Sequence, residues 1–180
     1  MLKRLSWLVV LLAVALVLTA LAALRSYTVF TREELVAIVA CEPPPAGSDH
    51  RFLLTVRQFK LGAPAREERF PMHGEQWMIG GDFLKWPPWL VFLGAQPCHK
   101  LTRLSSRYRA AGDELKRPRS AYDLNGGTPL VWRWLYRFGE ELPLVDAVYG
   151  NAAYTDAVPG GRWGVYVTNG GYLIRSLRNG

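Results

Sequence analysis

The feature that most limits what this chain can fold into is its start. MLKRLSWLVVLLAVALVLTALAALR places Lys3 and Arg4 before an uncharged run from Leu5 to Leu24, and Arg25 after it. Twenty residues at about 1.5 Å each match the roughly 30 Å hydrocarbon core of a bilayer. A cleaved signal peptide has a shorter apolar core, about 7–15 residues, and a small-x-small cleavage site. Ala20-Leu21-Ala22 offers such a site, yet the run stays apolar almost to its end. The length favours an uncleaved anchor. No cysteine stands near the end of the segment, which excludes a lipoprotein. Lys3, Arg4 and the amino terminus place the N-terminal side in the cytoplasm by the positive-inside rule. The chain thus divides into a membrane anchor, 1–25, and a single extracytoplasmic domain, 26–180. The expected location is a bacterial inner membrane, crossed once, with the domain in the periplasm.

Charge then narrows the partners. The chain carries +7. Lys3, Arg4 and Arg25 belong to the anchor, which leaves +4 on the domain. Nucleic acid is not the natural partner of a basic domain outside the cytoplasm. A membrane surface is a better one, at about 1 kcal/mol per cation held near anionic lipid. The connection Arg25 to Thr31 is short and holds the domain close to the bilayer. Cys41 and Cys98 are the two cysteines. An oxidising compartment permits a disulfide between them, and two buried thiols are the equal alternative.

Alternation reads the domain mainly as strands. LVAIVACE (35–42) ends at Pro43-Pro44-Pro45, and RFLLTVRQF (51–59) sets Phe52, Leu54 and Val56 on one face. EQWMIGGDFLKW (75–86) sets Trp77, Ile79 and Phe83 on one parity, with Gly80-Gly81 marking a bulge or bend. HKLTRLSSRYR (99–109) has Leu104 and Tyr108 on one face and Leu101 on the other. RWGVYVT-NG-GYLIRSL is a hairpin about Asn169-Gly170, expected as a type I′ turn that pairs Val167 with Tyr172 and Val165 with Ile174. One amphipathic helix interrupts the strands, with Thr128 as N-cap, Pro129 as first helical residue and Leu130, Val131, Trp134, Leu135 and Phe138 as its apolar face. Pro143 opens a second short helix through Val148. The order predicts an α+β fold, mainly antiparallel β, built as a curled sheet or a small partly open barrel.

Chemistry is thinly marked. His50, His73 and His99 are scattered without ligand spacing, so no metal site is prescribed and no cofactor is called for. Ser105 and Ser106 follow no nucleophile elbow. The paired glycines are turns, not phosphate loops. Asp82 and Asp146 stand among apolar residues and are the candidate buried carboxylates. Such a group must be paired or suffer a desolvation penalty of several kcal/mol. An acid/base role is conceivable, and a structural ion pair or hydrogen-bonded cap is the more ordinary one. RYRAAGDELKRPRS (107–120) gathers cations, and Arg107 and Arg109 are its candidates for headgroup contact.

The segments GEQWMIGGDFLKW (74–86), RLSSRYR (103–109), SAYDLNGG (120–127) and LPLVDAVYGNAAY (142–154) together resemble a group of small proteobacterial single-span membrane proteins. That group goes under the labels "multidrug transporter" and "cation/multidrug efflux pump". The resemblance rests on aromatic and glycine spacing and carries over no functional residue. The label conflicts with the chain's physics. A secondary transporter needs several spans around a midplane site, and this chain has one. What the resemblance implies is at most an accessory to an efflux system.

The uncharged stretch from Trp86 to Ala95 is too short for a second span. It reads first as a plug over the open end of the sheet. Its sharper reading is an interfacial foot, with Trp86, Trp89 and Phe92 at headgroup level and Lys85 beside them. Function is therefore expected to be non-enzymatic: an anchored envelope protein that contacts a protein partner or a lipid-like ligand. The alternative is an envelope hydrolase working through Asp82 or Asp146.

Overall fold

A computed structural model of the chain describes residues 2–43 and 50–177. The first element, α1 (Leu2–Phe30), is one continuous helix. Its part Ser6–Phe30 is long and apolar enough to cross a membrane; its most apolar window has a mean hydropathy of 2.8 and is covered by nothing else in the molecule. Pro43 to Pro45 lie largely outside the described residues; the strand before them ends at Glu42.

The rest is α+β with two antiparallel sheets and no closed barrel. One sheet has five strands in the order β3 (Ala63–His73), β2 (Arg51–Lys60), β1 (Glu34–Glu42), β8 (Arg162–Thr168), β9 (Gly171–Ser176). The other has four, in the order β6 (Ala121–Asp123), β5 (Cys98–Arg107), β4 (Gln76–Lys85), β7 (Ala147–Asp156). Three short helices join them: α2 (Pro88–Leu93), α3 (Ala111–Lys116) and α4 (Leu130–Phe138).

The sheets face each other across one core. The strand parity read from the sequence supplies it: Leu54 and Val56 from β2, and Trp77, Ile79 and Phe83 from β4, are almost wholly buried. Trp77 meets Trp163 edge to face at 5.7 Å, and Phe83 meets Tyr172 at 6.2 Å, so aromatic pairs bridge the two sheets. Gly81 is required where it stands, because a Cβ there would lie 1.9 Å from the Lys100 carbonyl oxygen. The register slips by one residue opposite Gly80/Gly81, and the extra residue is Thr102 on β5. That slip corrects one expectation. It turns both Leu101 and Leu104 into the core instead of onto opposite faces.

Other differences have local causes. β3 carries alternating charges and two prolines and gives no apolar signal. It forms because it is an edge strand, where proline is tolerated and Arg57 pairs with Glu67 across the ladder. The second short helix expected from Pro143 through Val148 does not form: residues 143–146 are turn and bend, and Ala147 and Val148 open β7, which is rich in small residues and pairs with β4. The hairpin of β8 and β9 has the expected register, but Asn169 does not adopt φ > 0, so its turn is not type I′. Instead Asn169 Nδ2 donates to the Val29 carbonyl at 3.0 Å and ties the turn to α1. The conformation expected there occurs at Leu61-Gly62, with φ of 52° and 77°. Of the two equal readings of the cysteines, the disulfide does not form, and the pair of buried thiols holds for Cys41 alone: both are free, Cys41 buried and Cys98 exposed. Cys41 lies seven residues up β1 from Glu34, about 23 Å at 3.3 Å per residue. Cys98 follows Pro97, which lines the same cavity as Glu34. That is far beyond the roughly 7 Å limit for a bridge.

Two stability predictions follow from this frame. Leu61 is 93% exposed and holds a left-handed conformation that disfavours a branched apolar residue. Leu61→Asn should raise the unfolding free energy by about 1 kcal/mol in denaturant titration, since Asn-Gly suits this turn; a loss of stability would contradict the assignment. Burial holds the His99 imidazole below its ordinary value, opposed by the Glu34 charge. Its Nδ1 lies 3.4 Å from the Tyr172 hydroxyl. The unfolded chain therefore takes this proton first as pH falls. The stability contribution should be complete above about pH 6.5 and decline below it. His99→Gln should flatten that decline between neutral and mildly acidic pH, and an unchanged slope would contradict it.

Candidate functional site

β4 uses its two faces differently. The odd positions fill the core, so the even positions Met78, Gly80 and Asp82 must point away from it. The register sets Ser105 and Tyr154 beside Met78, Arg103 and Ala152 beside Gly80, and Gly150 beside Asp82. Small residues therefore floor the middle of this outer face. Around it stand Thr128 at the Asp82 end and Arg107, Glu114 and Arg119 at the other. The result is a groove in two joined parts. A cavity of about 370 Å³ lies between Asp82 and Ser105, and one of about 570 Å³ lies between Ser105 and Arg119. Met78, Arg103 and Ser105 line both.

Asp82 is 5% exposed. Its Oδ1 accepts from the Tyr136 hydroxyl at 2.9 Å and from Thr128 Oγ1 at 3.4 Å. Its Oδ2 is buried with no partner. Ser105, also 5% exposed, has an Oγ in the same condition. Among the described residues one other buried side-chain polar atom shares it, Trp77 Nε1, inside the sandwich. An unpartnered buried polar group costs about 1–3 kcal/mol, so two in one groove call for an explanation. Desolvation, then the hydrogen bond and charge of Asp82, push the Tyr136 phenol far above its ordinary value. Tyr136 is thus a fixed donor to Oδ1, and Oδ2 of this cavity-lining residue keeps no partner.

The charge around the groove is positive. Arg103 is exposed and has no ion-pair partner among the described residues. Arg107 lies over the Tyr154 ring, 4.5 Å from its centroid. Arg119 pairs with Glu114 at 3.0 Å. No histidine or cysteine lines the groove, and no cluster of metal-ligating side chains occurs among the described residues.

The structure separates the residues that the sequence singled out. Asp82 falls in the groove. Asp146 does not: it pairs with Lys85 Nζ at 2.8 Å on the surface, so the buried-carboxylate expectation is corrected for it. Of the headgroup candidates, Trp89 and Phe92 lie on α2, which is tied to α1 through Arg25, and Lys85 and Trp86 precede that helix in the chain. Arg107 and Arg109 lie at the other end of the four-stranded sheet, for Arg107 pairs with Gln76 and Lys85 is nine residues further along β4. That is about 30 Å, so the two groups form no single contact surface. Arg107 belongs to the groove. Arg109 pairs with Asp156 at 3.0 Å, and its hydrogen bond, with that of Gln76, holds the Asp156 carboxyl below the usual range.

Reasoning from sequence missed Ser105, Arg103, Thr128 and Tyr136 as neighbours of Asp82. It also reversed α4. Thr128 does not cap the helix, because its hydroxyl is directed to Asp82. Trp132 is the buried residue of α4, while Leu130, Val131 and Trp134 are exposed. The outer face of β4 offers a carboxylate and small groups at this point, and α4 meets it with the Tyr136 hydroxyl rather than with an aliphatic stripe. Comparison with family models, curated proteins and solved structures gives no match to this chain.

A site that evolved for a ligand should be a weak point of the free protein. Ser105→Ala removes a buried hydroxyl that has no partner, so it should leave thermal stability unchanged or raise it by about 1 kcal/mol. A loss of that size on thermal unfolding would show that Ser105 has an internal partner and is merely structural.

Proposed function

We propose that this chain is a non-enzymatic, inner-membrane-anchored protein whose domain faces the periplasm and binds a small, lipid-like anionic molecule in the groove. The observation that carries the reading is the pairing of Asp82 Oδ2 and Ser105 Oγ, both buried and unpartnered, in one cavity. A ligand that donates to Asp82 and bonds Ser105 removes both penalties on binding. Arg103 and Arg107 supply the complement for its acidic group, since guanidinium groups match phosphate geometry. A phosphorylated headgroup carrying a hydroxyl or an ammonium has all of these features.

Titration of the full chain in detergent micelles with O-phosphoethanolamine tests this. Saturable binding is expected, and Arg103→Ala should weaken it about tenfold, the loss of one charge-assisted hydrogen bond. Absence of binding, or binding indifferent to Arg103, would contradict the proposal.

A hydrolase working through Asp82 is the second reading, and the concave position of Asp82 beside the Thr128 and Tyr136 hydroxyls favours it. Turnover of p-nitrophenyl phosphate that disappears in Asp82→Asn would replace the binding reading with this one.

A further inference from the structure

α2 begins with Pro88 as its first helical residue and ends at Gly94, which takes a left-handed φ of 110°. The Gly94 N–H bonds back to Val91 and the Ala95 N–H to Leu90, so the helix is closed at a fixed point. Val91 alone is buried. Trp89 is 53% exposed, Leu93 69% and Phe92 37%, so three large apolar side chains on a helix of six residues are left uncovered. The sequence permits a plug over the sheet, and this helix buries one side chain only.

Its position is set by α1. Arg25 Nε donates to the Phe92 carbonyl at 3.4 Å. The Gln96 amide, with its oxygen turned toward Arg32, accepts from the Arg32 guanidinium at 2.8 Å. Asn169 holds the last turn of α1 from the other side. These ties place α2 level with Arg25, the charge that ends the uncharged run begun at Leu5. If α1 crosses a bilayer, that level is the headgroup region, where tryptophan is favoured and the first cation emerges. Trp89, Phe92 and Leu93 of α2 and Leu21, Leu24 and Tyr27 of α1 are all exposed.

We infer that α2 is an interfacial foot: Trp89, Phe92 and Leu93 insert into the outer boundary of the same bilayer that α1 crosses. The occupant of this surface is lipid, because α2 is tied to α1 at the level where the uncharged run of that helix ends. Trp86 and Lys85 are not part of the foot. The Trp86 indole N–H is engaged by the Gln96 carbonyl at 2.7 Å, and Lys85 is paired with Asp146. With the foot inserted, the domain is held against the membrane at two points, and its orientation is fixed.

The inference rests on the anchor reading, and one experiment separates the two. The full chain is reconstituted into phosphatidylethanolamine/phosphatidylglycerol vesicles containing lipids brominated near the headgroup end of the acyl chain. Tryptophan quenching is compared for the unaltered chain, Trp89→Phe and Trp7→Phe. Trp7 lies in α1 toward its other end and reports the span itself. The foot predicts that each substitution removes its own share of the quenching. If Trp7→Phe lowers quenching and Trp89→Phe does not, the foot is wrong and the anchor stands. If neither lowers it, both are wrong. Trp89→Phe is a mild change at an exposed site, and circular dichroism confirms that the domain stays folded.

Discussion

The parity of β4 governs the rest of the molecule. Trp77, Ile79 and Phe83 cannot leave the core, since each is wholly buried between the two sheets. Side chains alternate along a strand, so Met78, Gly80 and Asp82 are carried to the opposite face together. A one-residue slip would exchange the sets, burying Asp82 in the sandwich and exposing a tryptophan and a phenylalanine. The core therefore holds the groove in register, and the groove needs no scaffold of its own.

Much of this was legible in the sequence, for a physical reason. β1, β2, β4 and the β8–β9 hairpin alternate strongly, and alternation reports which face is covered. The core residues Leu54, Trp77, Ile79 and Phe83 followed from it directly. The carboxylate Asp82 stood out because it sits in an apolar strand. What could not be read were elements whose conformation is imposed by neighbours. β3 is a charged edge held by β2, and β7 is a small-residue strand held by β4. The reversal of α4 has the same origin: its apolar stripe predicted burial, but the face it covers had already been filled by a carboxylate and small side chains. Ser105 and Arg103 were invisible as site residues because only the pairing of β4 with β5 brings them to the face that carries Asp82.

The molecule also has a direction. α1, α2 and the Asn169-Gly170 turn meet at one end, joined by Arg25, Arg32 and Asn169. The opposite end carries paired charges, Arg109 with Asp156 and Arg119 with Glu114. The groove runs between the two, from Asp82 nearer the helix end to Arg119 at the charged end. A ligand with one donor group and one acidic group would lie along that line, its donor toward the α1 end and its acid toward the arginines.

The central claim is that the groove is occupied by a small molecule in the native protein. A native mass spectrum of the full chain, extracted from membranes in mild detergent, tests it most directly. The account predicts one discrete anionic species bound to the unaltered chain and missing from Gly150→Trp. That substitution puts bulk into the floor at a position whose only near neighbour is the Tyr136 hydroxyl, 3.8 Å from where a Cβ would be. A bare chain, or the same species on the filled variant, would contradict it.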